Sequence, residues 1–211
     1  MEDIIYGWHF LSTHGTAYGG YRPPAVGAWE PPIENPEPCV RGYHGSPTVL
    51  RALRYAPGPI LGRCEYRGVV WHGDGTKWAA RERRCIARVD ASAWLRFAAC
   101  HFAEEALRMA GVTDKRSHNA VAVARRFALG LATANEMGFV GGAAYAAAYA
   151  NPGHTARRAS DAVYAAGHSA GHSAEGAAWA AALYSGLLAK AERWLESAAL
   201  DLDCAPEWVH V

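Results

Sequence analysis

Two periodicities divide this chain. Up to about residue 90 the apolar positions come in short bursts between Gly- and Pro-rich stretches. From about Ser92 they recur every three or four residues. Alternation marks a strand with one buried face, and a three-to-four spacing marks a helix with one. Arg83 to Val89 alternates clearly, with Cys85, Ala87 and Val89 against Arg84, Ile86 and Arg88; Ile60 to Tyr66 alternates roughly. Val69-Val70-Trp71 is a short apolar run beside His72-Gly73-Asp74-Gly75, whose composition reads as a hairpin turn. Tyr18 to Pro24 and the segment holding Pro31, Pro32, Pro36 and Pro38 read as loops. Between them, Ser46 to Tyr55 reads as a short helix, with Ser46 as cap, Pro47 in the first turn and Pro57-Gly58-Pro59 as the stop.

Helices follow. Trp94, Phe97, Ala98, Phe102, Ala106 and Met109 share one face, and Gly111 ends that helix. Asp114 or Ser117 can cap the next, whose face carries Val121, Ala124, Phe127 and Ala128 before Gly130. Thr133 and Glu136 fit a capping box for a third helix running toward Ala150. Asn151-Pro152-Gly153 breaks it, and a long helix is expected from about Thr155 to about Ala199. Alanine favours helix and lets backbones approach closely. It buries little area, so such a bundle needs aromatic anchors; Tyr145, Tyr149, Tyr164, Trp179, Tyr184 and Trp194 supply them. The expected class is α+β: a small antiparallel β-rich part over 1–90, an alanine-rich helical bundle over 91–203 and a tail over 204–211.

Bulk properties narrow the function. The chain has 211 residues, 51% of them hydrophobic, enough for one domain with a sizeable core or two small ones. A net charge of +1 argues against a nucleic-acid partner. The nearest basic cluster, Lys77, Arg81, Arg83, Arg84 and Arg88, contains Glu82 and reads as one solvated strand face. No apolar run reaches the ~18 residues of a membrane span, and the acidic start is not a signal peptide. The expected location is the cytoplasm. Five widely spaced cysteines without a C-x-x-C pair read as buried thiols in a reducing compartment.

Three places could carry chemistry. His44-Gly45-Ser46 matches the H-G-S element of ADP-ribosyltransferases, in which the His and Ser contact the NAD ribose and an aromatic residue follows downstream; Tyr55 and Tyr66 are candidates for that residue. The plainer reading is a turn, with His44 bonded to backbone and Ser46 capping a helix. His168 and His172 stand at i, i+4, the spacing at which two imidazoles can grip one metal; the plainer reading is a polar seam between helices. His72 to Lys77 is glycine-rich but lacks the phosphate-wrapping spacing of a P-loop, and reads as a hairpin.

Cys39-Val40-Arg41-Gly42-Tyr43-His44, Leu53-Arg54-Tyr55-Ala56-Pro57-Gly58-Pro59 and the later Lys77-x-x-Ala80-x-x-Arg83 stretch resemble a group of uncharacterised proteins of phages and their bacterial hosts. The helical part is also similar to immunity proteins of bacterial toxin systems, through Arg125 to Gly130, the Thr133-x-x-Glu136 turn and the alanine repeats. The resemblance implies a setting of phage, prophage or toxin–immunity conflict and carries no catalytic residues. Many relatives have Ala at the place of Gly45-Ser46, a departure that weighs against the ribosyltransferase reading.

The favoured expectation is therefore a non-enzymatic protein that acts by stoichiometric binding to a host or competitor protein, with no cofactor. Tyr21, Trp29, Tyr43 and Trp71 are its candidate binding anchors, and the alanine-rich helices could pair with a second copy. The alternatives are an NAD-dependent ADP-ribosyltransferase-like enzyme using His44 and Ser46, and a virion or assembly component.

Overall fold

Turn chemistry builds the central hairpin. In the computed structural model, which describes residues 3–150, 161–162, 178, 180–183 and 188–202, strands β3 (Ile60–Trp71) and β4 (Trp78–Asp90) run antiparallel through the His72–Lys77 turn. Asp74 fastens that turn: its carboxylate accepts from the Thr76 amide at 3.0 Å and the Thr76 hydroxyl at 2.7 Å. Gly75 supplies the positive φ of 66°. A register shift between Arg63 and Cys64 explains why alternation in β3 is only rough: a bulge changes which face each residue meets.

Two further strands have weaker signals. β1 (Ile5–Leu11) pairs antiparallel with β3, and β2 (Tyr43–Gly45) pairs antiparallel with β4, giving the order β1-β3-β4-β2. The two edges then meet. Trp8 and Ser46 exchange backbone hydrogen bonds, Trp8 N–H to Ser46 C=O at 2.9 Å and Ser46 N–H to Trp8 C=O at 3.0 Å. The sheet thus curls upon itself and hides the edges it would otherwise expose. Curling this tightly needs glycine at the closure. A Cβ on Gly7 would lie 2.5 Å from the Trp78 ring, and one on Gly45 would lie 2.5 Å from the Tyr66 ring. Inside the curl Tyr66 and Trp78 meet edge to face at 5.3 Å, packed with Cys64, Ala80 and Cys85.

The short helix α1 (Val49–Leu53) begins later than its sequence suggests. Its cap is Thr48, whose hydroxyl accepts from the Arg51 amide; Ser46 is spent on the strand closure. Arg83 is a second correction. It does not stand with Arg81, Arg84 and Arg88 on a solvated face but is 3% exposed and paired with buried Glu30.

The helical part follows its caps. α2 (Ser92–Ala110) buries Leu95, Ala98, Phe102 and Ala106, while Met109 stands 58% exposed, so the stripe is rotated from the expected one. Gly111, at φ 62°, ends it. Asp114 caps α3 (Lys115–Ala128) by accepting from the Arg116 amide at 2.9 Å. The capping box opens α4 (Ala134–Ala150): Thr133 N–H donates to Glu136 Oε2 at 2.8 Å, and Glu136 N–H donates to Thr133 Oγ1 at 3.2 Å. α5 covers Leu188–Leu202.

The chain forms two compact units, one of residues 1–91 with those from Glu192 on, the other of residues 92–191. In the first, α5 carboxylates serve the β part. Glu196 accepts from the Trp8 indole N–H at 2.8 Å and the Val49 amide at 3.2 Å. Glu192 accepts from the Thr48 hydroxyl at 2.7 Å and Arg51 Nε at 3.0 Å. No helix among the described residues is long and apolar enough to cross a membrane.

Candidate functional site

The curl of the sheet and the long loop before β2 line an open cavity of about 540 Å³, inside the span of roughly 300–1,000 Å³ usual for small-molecule sites. His44, Ser46 and Tyr55 line it; Tyr66, the other candidate aromatic, does not and is buried in the core beside Trp78. Each of the three lining residues arrives by a different route. β2 carries His44, the strand closure holds Ser46, and Tyr55 follows α1.

His44 is set by the loop that precedes it. Glu37 and Arg41 close a tight turn in which Cys39 takes φ 69°, and the Cys39 amide donates to His44 Nε2 at 3.0 Å. An Nε2 that accepts carries no proton, so the neutral ring holds its proton on Nδ1. Neutrality is enforced: burial lowers the proton affinity of His44, and the charges of Lys77 and Arg83 lower it further. At neutral pH this lining residue is therefore a neutral ring with an Nδ1–H donor.

Aromatic rings form the walls. Trp8, Phe10, Tyr18, Tyr21, Tyr43 and Tyr55 all line the space, and Tyr21 and Tyr43 tilt against each other at 6.3 Å. Burial, with help from the Glu30 carboxylate, keeps the Tyr21 and Tyr43 phenols protonated. The Tyr43 hydroxyl donates to Pro31 C=O at 2.8 Å.

Two cations reach the lining. Arg83 is neutralised by Glu30, Nη2 donating to Oε2 at 3.1 Å. Lys77 has its ammonium 4.0 Å from the centroid of the Tyr55 ring, a cation–π contact, and no ion pair to a carboxylate among the described residues. Among the described residues, none that lines the cavity is a carboxylate. His9 lines the cavity too; its Nε2 is out of solvent's reach and makes no hydrogen bond among the described residues.

The candidate anchors fare differently. Tyr21 and Tyr43 belong to the cavity, and Tyr43 is 8% exposed. Trp29 is half-buried, with Arg67 3.9 Å and Arg84 4.8 Å from its ring centre. Trp71 stands 46% exposed at the end of β3, its ring against Trp78. His168 and His172 lie outside the described residues. Among those described, no group of three or more His, Cys, Asp or Glu is arranged to hold a metal ion. Cys64, Cys85 and Cys100 are buried free thiols, and Cys39 is an exposed one at the cavity.

Sequence reasoning missed Lys77 and His9 as lining residues. Lys77 was legible only as one charge in a basic run, and His9 carries no motif. Comparison with protein-family models, curated proteins and solved structures finds no match.

Proposed function

We propose that this protein binds NAD in the cavity of its β unit, in the manner of an ADP-ribosyltransferase-like protein, with His44 and Ser46 meeting the ribose and Tyr55 supplying the aromatic wall. One observation carries the reading: the two polar residues of a tripeptide pattern and one of its two candidate downstream aromatics line a single cavity of ligand size. The physical fit supports it. A neutral His44 with its proton on Nδ1 can donate to a ribose hydroxyl, and ring walls suit a planar base. The reading concerns binding; a transfer step would need an acceptor and a group to activate it.

Isothermal titration of NAD into the intact protein tests this. Saturable one-to-one binding is expected, lost in His44→Ala with the circular dichroism spectrum unchanged. No heat up to about 1 mM NAD, an affinity worth only about 4 kcal/mol, would overturn it.

A second reading, stoichiometric binding to a host or competitor protein, draws on Val70 and Trp71, adjacent residues 42% and 46% exposed at the end of β3. Exposed aromatics of this kind are frequent interface anchors. Trp71→Ala should then weaken a partner complex without altering NAD affinity.

A further inference from the structure

We infer that the cavity selects a phosphorylated ligand and that Lys77 is the phosphate contact. This deepens the NAD reading and rests on it for the planar part of the ligand.

The charge balance of the lining is the starting point. Arg83 is committed to Glu30 by a bidentate contact within the protein, which cancels its charge. Lys77 is not cancelled in this way among the described residues: its ammonium lies over the Tyr55 ring, 4.0 Å from the centroid. Among the described residues, no carboxylate lines the space to compensate it. The cavity therefore carries one uncompensated positive charge beside aromatic walls. A neutral ligand would leave that charge unused, and a cationic one would be repelled by it.

The position of the ammonium is also held. Tyr55, on whose ring it rests, has its hydroxyl 3.3 Å from Thr76 Oγ1. Thr76 in turn is bound by Asp74 through both its hydroxyl and its amide. The hairpin turn thus fixes the Tyr55 platform, and Lys77 follows directly after that turn. Its charge is felt at His44, where it opposes protonation. An anionic oxygen there would meet the ammonium and the neutral His44 N–H without a like charge from the lining. Phosphate fits such a site because a lysine ammonium acts on it as a compact point charge.

The experiment compares ligands that differ by one phosphate. Cys39 lines the cavity and is exposed, so its alkylation by a maleimide, followed by mass spectrometry, reports occupancy in the full chain. Nicotinamide mononucleotide should protect Cys39 at concentrations about tenfold or more below those needed by nicotinamide riboside. In Lys77→Met that ratio should collapse to about one, and Lys77→Arg should restore it; melting curves verify that each variant is folded. Equal protection by the two ligands in the wild type would overturn the phosphate assignment while leaving the nucleotide reading standing. Protection by inorganic pyrophosphate that depends on Lys77, with none by either nicotinamide ligand, would support the anion site and overturn the NAD reading. No protection by any of the three would overturn both.

Discussion

Arg83 and Glu30 form a buried ion pair in the β unit, with side chains 3% and 1% exposed. Removing one member strands the other as a buried charge, which costs about 3–5 kcal/mol. Arg83→Met should lower the unfolding free energy in urea by about that amount. The double variant Glu30→Gln/Arg83→Met should lose less than the sum of the two single losses, because neither charge is left stranded. A loss within about 0.5 kcal/mol in the single variant, the range of ordinary surface changes, would contradict the burial described. His9 sets a pH dependence. Burial, followed by the charge of Arg83, holds its proton affinity well below the ordinary 6.5. The unfolded chain then binds a proton near pH 6.5 that the folded chain refuses, so this contribution is complete above that pH and is lost as pH falls below it. His44 shifts in the same direction. Stability should therefore decline between about pH 7 and pH 5, and His9→Gln should flatten part of that slope in urea titrations.

Among the elements, α2 and α3 end, and α3 and α4 begin, where local chemistry says they should. Gly111 and Gly130 sit at positive φ after α2 and α3, Asp114 caps α3, and Thr133 with Glu136 caps α4. These signals are short-range, so they are legible in sequence. Thr133→Ala should cost about 1 kcal/mol of stability, read as a lower urea midpoint with an unchanged slope. β1 and β2 were not legible as strands. β2 has three residues and no period to read, and β1 is defined by pairing with β3, from Ile5 with Tyr66 to Leu11 with Ile60, far away in sequence. The H-G-S element shows the same limit. Its side chains were legible as candidates, but Ser46 looked like a helix cap because its true partner, Trp8, is remote in sequence. Lys77 and His9 reach the cavity only because the sheet curls, and no local pattern encodes that closure. Arg83 looked solvated for a related reason: Glu30, its partner, comes from a proline-rich loop that crosses β4 through the Trp29–Arg84 bridge.

At the scale of the molecule, the β unit includes chain from both ends of the described sequence. Trp8, 1% exposed, gives its indole N–H to Glu196, and Thr48 and Arg51 both reach Glu192. A chain ending at Ala191 would lose all of these partners. Its β unit should melt at lower temperature, followed by tryptophan fluorescence, and Glu196→Ala alone should reproduce part of the loss by leaving a buried donor unpaired. An unchanged melting temperature in the shortened chain would show that α5 does not support the β unit. The cavity belongs to this same unit, so its ligand chemistry is inseparable from the closure that Gly7 and Gly45 permit.

The most direct test of the account is a histidine-selective ¹H–¹⁵N correlation spectrum of the intact protein, recorded with increasing NAD. The account predicts that His44 appears as the neutral tautomer protonated on Nδ1 and that its ring signals move saturably, while exposed His118, in the other compact unit, stays still. A His44 ring protonated on Nε2, or one that ignores NAD while the protein remains folded, would contradict it.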